Sequence, residues 1–216
     1  MPALRTGGAC IRRFGTLLSL SVAETNVSSV TTADSSTGDG VGRWAVLAVV
    51  SAALFATTFA RTVISPVAGG VIADFGIDAG AFGLAATALW AAYALTQLPA
   101  GLLGDRFGER RVVVAAVAST AVAGVGLAAA PNFAVFAAFV VLLGAANGLQ
   151  YPPGVTLLTR RFAKTGRALG IHIAAAPAAG LIAPPVAGLF AARFGWRVAL
   201  LVGALVAVPA VVLVRY

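Results

Sequence analysis

The sequence predicts an all-α membrane protein with six transmembrane helices, arranged as two inverted three-helix repeats. Three observations lead there. Of 216 residues, 60% are hydrophobic and only 10% charged, against about 45–50% and about 25% in soluble domains. Six long apolar runs follow one another with short separators. An eleven-residue pattern occurs twice, at opposite ends of the predicted spans. So few charges cannot cover a water-facing surface, which excludes an ordinary cytosolic enzyme. The ample apolar content likewise excludes a disordered chain.

Residues 1–43 read as a disordered polar tail, rich in Ser, Thr and Gly from Ser28 to Gly42. Arg5, Arg12 and Arg13 precede a short apolar patch, Phe14 to Ala23, that resembles a weak signal peptide. Thr16, Ser19 and Ser21 interrupt the patch, and a cytoplasmic tail is the simpler reading. The apolar runs lie near 44–72, 79–103, 112–130, 133–159, 167–191 and 197–215. At about 1.5 Å per residue each can cross about 30 Å of hydrocarbon. Each must be helical, because lipid offers backbone groups no partner and the alternation of a barrel strand is absent. The separators are Asp74 to Asp78, Gly104 to Arg111, Pro131–Asn132, Arg160 to Gly166 and Ala192 to Trp196.

The net charge of +8 would suggest nucleic acid in a soluble chain. Here it reads as topology, and no nucleic-acid partner is expected. Twelve basic residues fall on one side: Arg5, Arg12, Arg13 and Arg43 in the tail, Arg106, Arg110 and Arg111 in the second loop, Arg160, Arg161, Lys164 and Arg167 in the fourth, and Arg215. Only Arg193 and Arg197 fall on the other. The positive-inside rule then puts both termini in the cytoplasm of a multi-pass cell-membrane protein. Cys10 is the sole cysteine, so no intrachain disulfide and no cysteine metal site is available.

The repeat aligns Ala100–Arg110 (AGLLGDRFGER) with Ala187–Arg197 (AGLFAARFGWR), seven of eleven positions identical at an offset of 87. This carries the second span onto the fifth and the third onto the sixth, in opposite orientations. Inverted repeats of this kind characterise secondary transporters.

Between the second and third spans stands Gly101-x-x-x-Asp105-Arg106-x-Gly108-x-Arg110-Arg111. Gly101 permits close helix packing. Asp105 is an anion at a helix end that can pair with an Arg or a neighbouring helix N-terminus. Gly108 permits a tight turn, and Arg110 and Arg111 anchor the membrane surface. With every specified position filled, the chain from 44 to 216 resembles the N-terminal six-helix half of a major facilitator superfamily transporter. The resemblance implies alternating access and a conformational latch in this loop, with Asp105 facing a second six-helix half from another chain or a homodimer. Arg160-Arg161-Phe162 and Gly166–Gly170 resemble that family's loop between spans 4 and 5. Gly180-x-x-x-Pro184-Pro185-x-x-Gly188 partly resembles its antiporter motif, with Pro184 and Leu189 standing where Gly is expected. Span 4 lacks the arginine of many proton-coupled relatives; Val141, Leu142 and Leu143 occupy that region.

Polar residues concentrate in spans 1, 2, 4 and 5, which makes these the expected cavity lining, with spans 3 and 6 toward lipid. Arg61 is the sharpest residue. A charge in mid-membrane costs about 2.5–3.5 kcal/mol on insertion scales, and no Asp or Glu lies within any span to neutralise it. Thr58, Thr62 and Ser65 share its helical face. Tyr93 and Asn147 fall near its depth, and Asn147, Gln150, Tyr151 and Gly154 share one face of span 4. Arg61, Tyr93, Asn147, Gln150 and Tyr151 are therefore the candidate substrate-binding residues, for an anionic or carboxylate-bearing solute. The structural alternative pairs Arg61 with carbonyl oxygens or with an acid from a missing half. His172, near the start of span 5, is a candidate proton site; such a residue is more commonly a packing histidine.

No enzymatic chemistry is expected, since a single His and no acids stand within the spans. No P-loop suggests ATP, and no cofactor or metal is called for. The expected partners are membrane lipid, a small solute and a second six-helix half. A proton-coupled drug or metabolite efflux antiporter half, or a truncated membrane fragment inactive on its own, are the alternatives.

Overall fold

A computed structural model describes the backbone of residues 37–215 and the side chains of 42–212. The tail expected over 1–43 lies outside the described residues as far as residue 36. All described secondary structure is helical: α1 (Thr37–Thr62), α2 (Ala68–Phe75), α3 (Ala79–Phe107), α4 (Glu109–Ala129), α5 (Phe133–Arg161), α6 (Thr165–Phe194) and α7 (Trp196–Arg215). Five of these, α1 and α3 to α6, are long and apolar enough to cross a membrane. The described part of α7, Trp196–Val212, is apolar but shorter.

The run at 44–72 is not one helix, which corrects the first expected span. Helix α1 stops at Thr62, and a turn over 63–67 separates it from α2. The cause is Pro66, which lacks an N–H and whose ring would strike the carbonyl of Thr62 in a continuous helix. The chain re-enters a helix with Ala68 N–H donating to the Ser65 carbonyl at 3.2 Å. At eight residues α2 is far too short to span. It closes on Gly76 in the left-handed conformation, φ 61°.

The other boundaries follow local chemistry. The Asp78 carboxylate caps α3 by accepting from Ala81 N–H at 2.7 Å, and the Asn132 side chain caps α5 by accepting from Val135 N–H at 3.0 Å. Both copies of the repeated pattern end a helix in the same way. Gly108 has φ 89° and donates its N–H to the Gly104 carbonyl at 2.8 Å. Gly195, 87 residues on, has φ 86° and donates to the Ala191 carbonyl at 3.0 Å. Arg106 and Arg193 thus stand in the last helical turn, where a cation is favourable.

Small residues bring the helices together. A Cβ on Gly144 would collide with the Leu89 carbonyl of α3, and one on Gly148 with Thr96 Oγ1 and the Tyr93 carbonyl. Glycines four apart on α5 therefore let the α3 backbone lie against it. Thr96 Oγ1 also donates across this seam to the Ala145 carbonyl at 3.1 Å. Helix α1 buries Ala53 and Ala56 against Val113 and Val117 of α4 and Ala207 and Ala210 of α7. At the Trp196 end, Trp196 meets Phe75 and Phe136 edge to face, and those two rings are tilted against each other, with centroids 5.6–5.9 Å apart. Helices α3 and α6 are the least covered, with 11% and 17% of their apolar windows buried against 44–50% for α1, α4 and α5. They correspond to spans 2 and 5, and they leave residues such as Leu84, Leu98 and Leu181 exposed.

Candidate substrate cavity

A cavity of about 610 Å³ opens where α1 breaks. Thr58, Arg61 and Thr62 of α1, Trp90 of α3, and Ala176 and Gly180 of α6 contribute to its walls. The break at Pro66 matters to the site, because Ile64 and Ser65 of the turn also line it. Thr62 Oγ1 donates back to the Thr58 carbonyl at 2.8 Å, so that hydroxyl is already engaged along its own helix.

Arg61 is the cation of this cavity. Its guanidinium carbon lies 4.4 Å from the centroid of the Trp90 ring and 5.1 Å from that of Tyr93. Trp90 and Tyr93 stand three apart on α3, which places both rings on one helical face, and they contact each other edge to face at 5.7 Å. Aromatic rings attract a guanidinium through their π faces. They do not accept the in-plane N–H groups that recognise carboxylate, sulfonate or phosphate. Arg61 Nη1 is buried and has no hydrogen-bond partner among the described residues.

The cavity brings together part of the expected set. Arg61 and Tyr93 meet; Asn147, Gln150 and Tyr151 do not line the space around Arg61. Asn147 is buried on α5 and donates from Nδ2 to the Leu143 carbonyl at 3.0 Å. Gln150 is fully buried, and both atoms of its amide lack partners. Tyr151 stacks on His172 of α6 at 6.4 Å between centroids. His172, the candidate proton site, is fully buried with Nδ1 3.5 Å from Ser51 Oγ of α1. Trp90 was not anticipated; its three-residue spacing from Tyr93 was the available signal. Among the described residues no three His, Cys, Asp or Glu side chains gather into a metal-binding group.

The residues of the loop signature are also placed. Gly108 makes the turn described above. Asp105 is exposed and pairs with Arg160 at 3.4 Å, and Arg160 reaches Glu109 at 2.6 Å. Asp105, the residue expected to face a second half, is thus engaged by the last turn of α5 of its own chain. Arg106 lies over the Phe107 ring at 5.4 Å, while Arg110 and Arg111 are exposed beside a shallow groove with Val114 and Ala118. Gly101 has open space where a Cβ would stand.

The profile of the Major Facilitator Superfamily matches residues 50–216. The chain belongs to this superfamily. Its members are multi-pass membrane transporters, and the apolar helices described above fit that architecture. Among similar proteins is the tetracenomycin C resistance and export protein of Streptomyces glaucescens, 31% identical over 56% of this chain and 23% of its own length. Another is the multidrug resistance protein B homolog of Mycobacterium tuberculosis, 29% identical over 70% of this chain and 28% of that protein. A third, named "Probable sulfoacetate transporter SauU", from Cupriavidus necator, is 28% identical over 74% of this chain and 38% of that protein. The chain therefore aligns with about a quarter to two fifths of these relatives.

Proposed function

We propose that this superfamily chain is the N-terminal half of an alternating-access secondary transporter, and that Arg61 binds the anionic group of a small solute in the cavity between α1, α3 and α6. The single observation that carries the anion reading is the buried, unpartnered Nη1 of a half-buried arginine facing a 610 Å³ space. Trp90 and Tyr93 lie against the guanidinium, and Nη1 is left for the solute. A carboxylate or sulfonate would form charge-assisted hydrogen bonds there and neutralise the charge at one step. The relative named for sulfoacetate, itself a dianion, is in keeping with this reading.

In this proposal residues 44–216 form the transport domain, with α1 and α2 together serving as the first of six crossing elements and α7 as the last. The matching turns at Gly108 and Gly195 support two inverted three-helix repeats. The charge asymmetry supports cytoplasmic termini in the cell membrane. The uncovered apolar faces of α3 and α6 support a second six-helix half as partner. No catalytic step is assigned to the chain.

A second reading, a drug or metabolite efflux half, is favoured by the printed names of two relatives and by Gly180 of the partial antiporter pattern in the cavity wall. The two readings differ in the charge of the solute. Because Trp90 lies 4.4 Å from the cation, tryptophan fluorescence of the purified full chain in detergent tests them. The anion reading expects a saturable change with sulfoacetate that disappears in Arg61→Gln, and none with tetraphenylphosphonium. A response to the lipophilic cation alone overturns it in favour of efflux.

A further inference from the structure

The walls of the Arg61 cavity are divided by polarity. Its hydroxyls, on Thr58, Thr62 and Ser65, come from α1 and the turn after it, the same side as Arg61. Helix α3 contributes Phe82, Ala86, Leu89 and Trp90, and α6 contributes Ala176 and Gly180. The indole nitrogen of Trp90 is the one polar side-chain atom that these two helices add to the lining. The α3 residues stand at i, i+4, i+7 and i+8, so they form a single helical face. At about 1.5 Å per residue that face runs for about 12 Å. The guanidinium lies at its Trp90 end, 4.4 Å from the ring centroid, and Phe82 marks the other end.

This division selects among anions. Arg61 is the one charged residue among those lining the 610 Å³ space, so it neutralises a single negative charge. A second charge on the solute would lie against α3 or α6 with no cation to meet it, at a desolvation cost. A polyol would turn hydroxyls toward carbon, because the polar groups stand on one side and the Thr62 hydroxyl is already bonded to the Thr58 carbonyl at 2.8 Å. An apolar body gains instead by leaving water. The small residues of α6 leave width for it, and a Cβ on Gly180 would meet open space.

We propose that the preferred solute is an organic monoanion with an apolar body, its carboxylate or sulfonate on Arg61 Nη1 and its aryl or alkyl part laid along the α3 face toward Phe82. This rests on the anion reading of Arg61 and adds that Phe82, Ala86 and Leu89 set which anion is taken. A compact dianion such as sulfoacetate uses the Arg61 end alone and binds more weakly.

Titration calorimetry of the full chain in one detergent and salt, at a pH where both probes are ionised, compares phenylacetate with sulfoacetate. Phenylacetate should bind tighter by about tenfold or more, and Phe82→Ala should weaken it by about threefold or more while hardly changing sulfoacetate. Ala86→Leu fills the middle of the α3 face and should weaken phenylacetate by about tenfold, leaving sulfoacetate within about twofold. Sulfoacetate binding to the wild type as tightly as phenylacetate overturns the proposal and leaves the anion reading intact; that comparison needs no variant to fold. An equal effect of Ala86→Leu on both probes also overturns it. Phenylacetamide, uncharged and of similar shape, separates the two claims. If it binds as well as phenylacetate, the anion reading falls and the proposal falls with it.

Discussion

Arg61 and Arg197 are both stacked on aromatic rings, and the rest of their surroundings differ. The Arg197 guanidinium lies 4.3 Å from the Trp196 ring centroid and 5.8 Å from that of Phe75. Its edge meets three oxygen atoms: Nη2 reaches Asp74 at 2.8 Å, and Nη1 donates to the Ala128 and Ala130 carbonyls at 3.2 and 3.1 Å. It thereby ties α2, the end of α4 and the start of α7 into one cluster. Arg61 has a similar aromatic bed at 4.4 and 5.1 Å, but among the described residues no acid pairs with it and Nη1 is unbonded. The rings hold the guanidinium in both places. What differs is that the protein supplies oxygen atoms to both terminal nitrogens of Arg197 and leaves Nη1 of Arg61 without one, which separates a structural arginine from one with capacity left for a ligand.

Substitutions can break this comparison, beginning with Arg61. Arg61→Gln should weaken binding of an anionic solute by about ten- to hundredfold, the worth of a charge-assisted contact of ~1.5–3 kcal/mol, with little loss of thermal stability. Titration calorimetry paired with a melting curve separates the two quantities. Arg197→Ala should do the reverse. It unties three oxygen contacts and the stacking, and should lower stability by about 2 kcal/mol while anion affinity holds, as denaturant titration would show. Gly195→Ala should cost about 1–2 kcal/mol, because φ 86° is unfavourable for a residue with a Cβ. Gly108→Ala should cost a similar amount, and unequal penalties would break the equivalence of the two turns. Asp74→Asn should have the smallest effect, under about 1 kcal/mol, since the pair with Arg197 is half exposed.

Much of this was legible in the sequence, for identifiable reasons. Helix positions followed from hydropathy, because a membrane helix needs a long apolar run and little else can supply one. The turn at Gly108 followed from the loop signature, where a conformational requirement is written in one residue, and Gly195 stands at the same place in the second copy of the repeat. Arg61 stood out because a charge in an apolar run is expensive. The break at Pro66 was concealed by the same hydropathy that revealed the span, since Val63 to Val71 is apolar throughout apart from Ser65 and Pro66. The separation of Gln150 and Tyr151 from Arg61 was not legible either. Depth along a helix can be counted from sequence, but rotation depends on which neighbour a helix meets. Gly144 and Gly148 turn one face of α5 toward α3, and Gln150 and Tyr151 are left to meet α1 and α6. Likewise, the pairing of Asp105 with Arg160 joins the last turns of α3 and α5, 55 residues apart, which no local pattern connects.

The central claim is that Arg61 is the arginine left open for an anion. Titration calorimetry of sulfoacetate into the wild-type chain, Arg61→Gln and Arg197→Gln, each in the same detergent and salt, tests it most directly. The account predicts saturable binding by the wild type and by folded Arg197→Gln, and a loss of at least about tenfold in Arg61→Gln, equivalent to ~1.4 kcal/mol. Undiminished affinity in Arg61→Gln would contradict it.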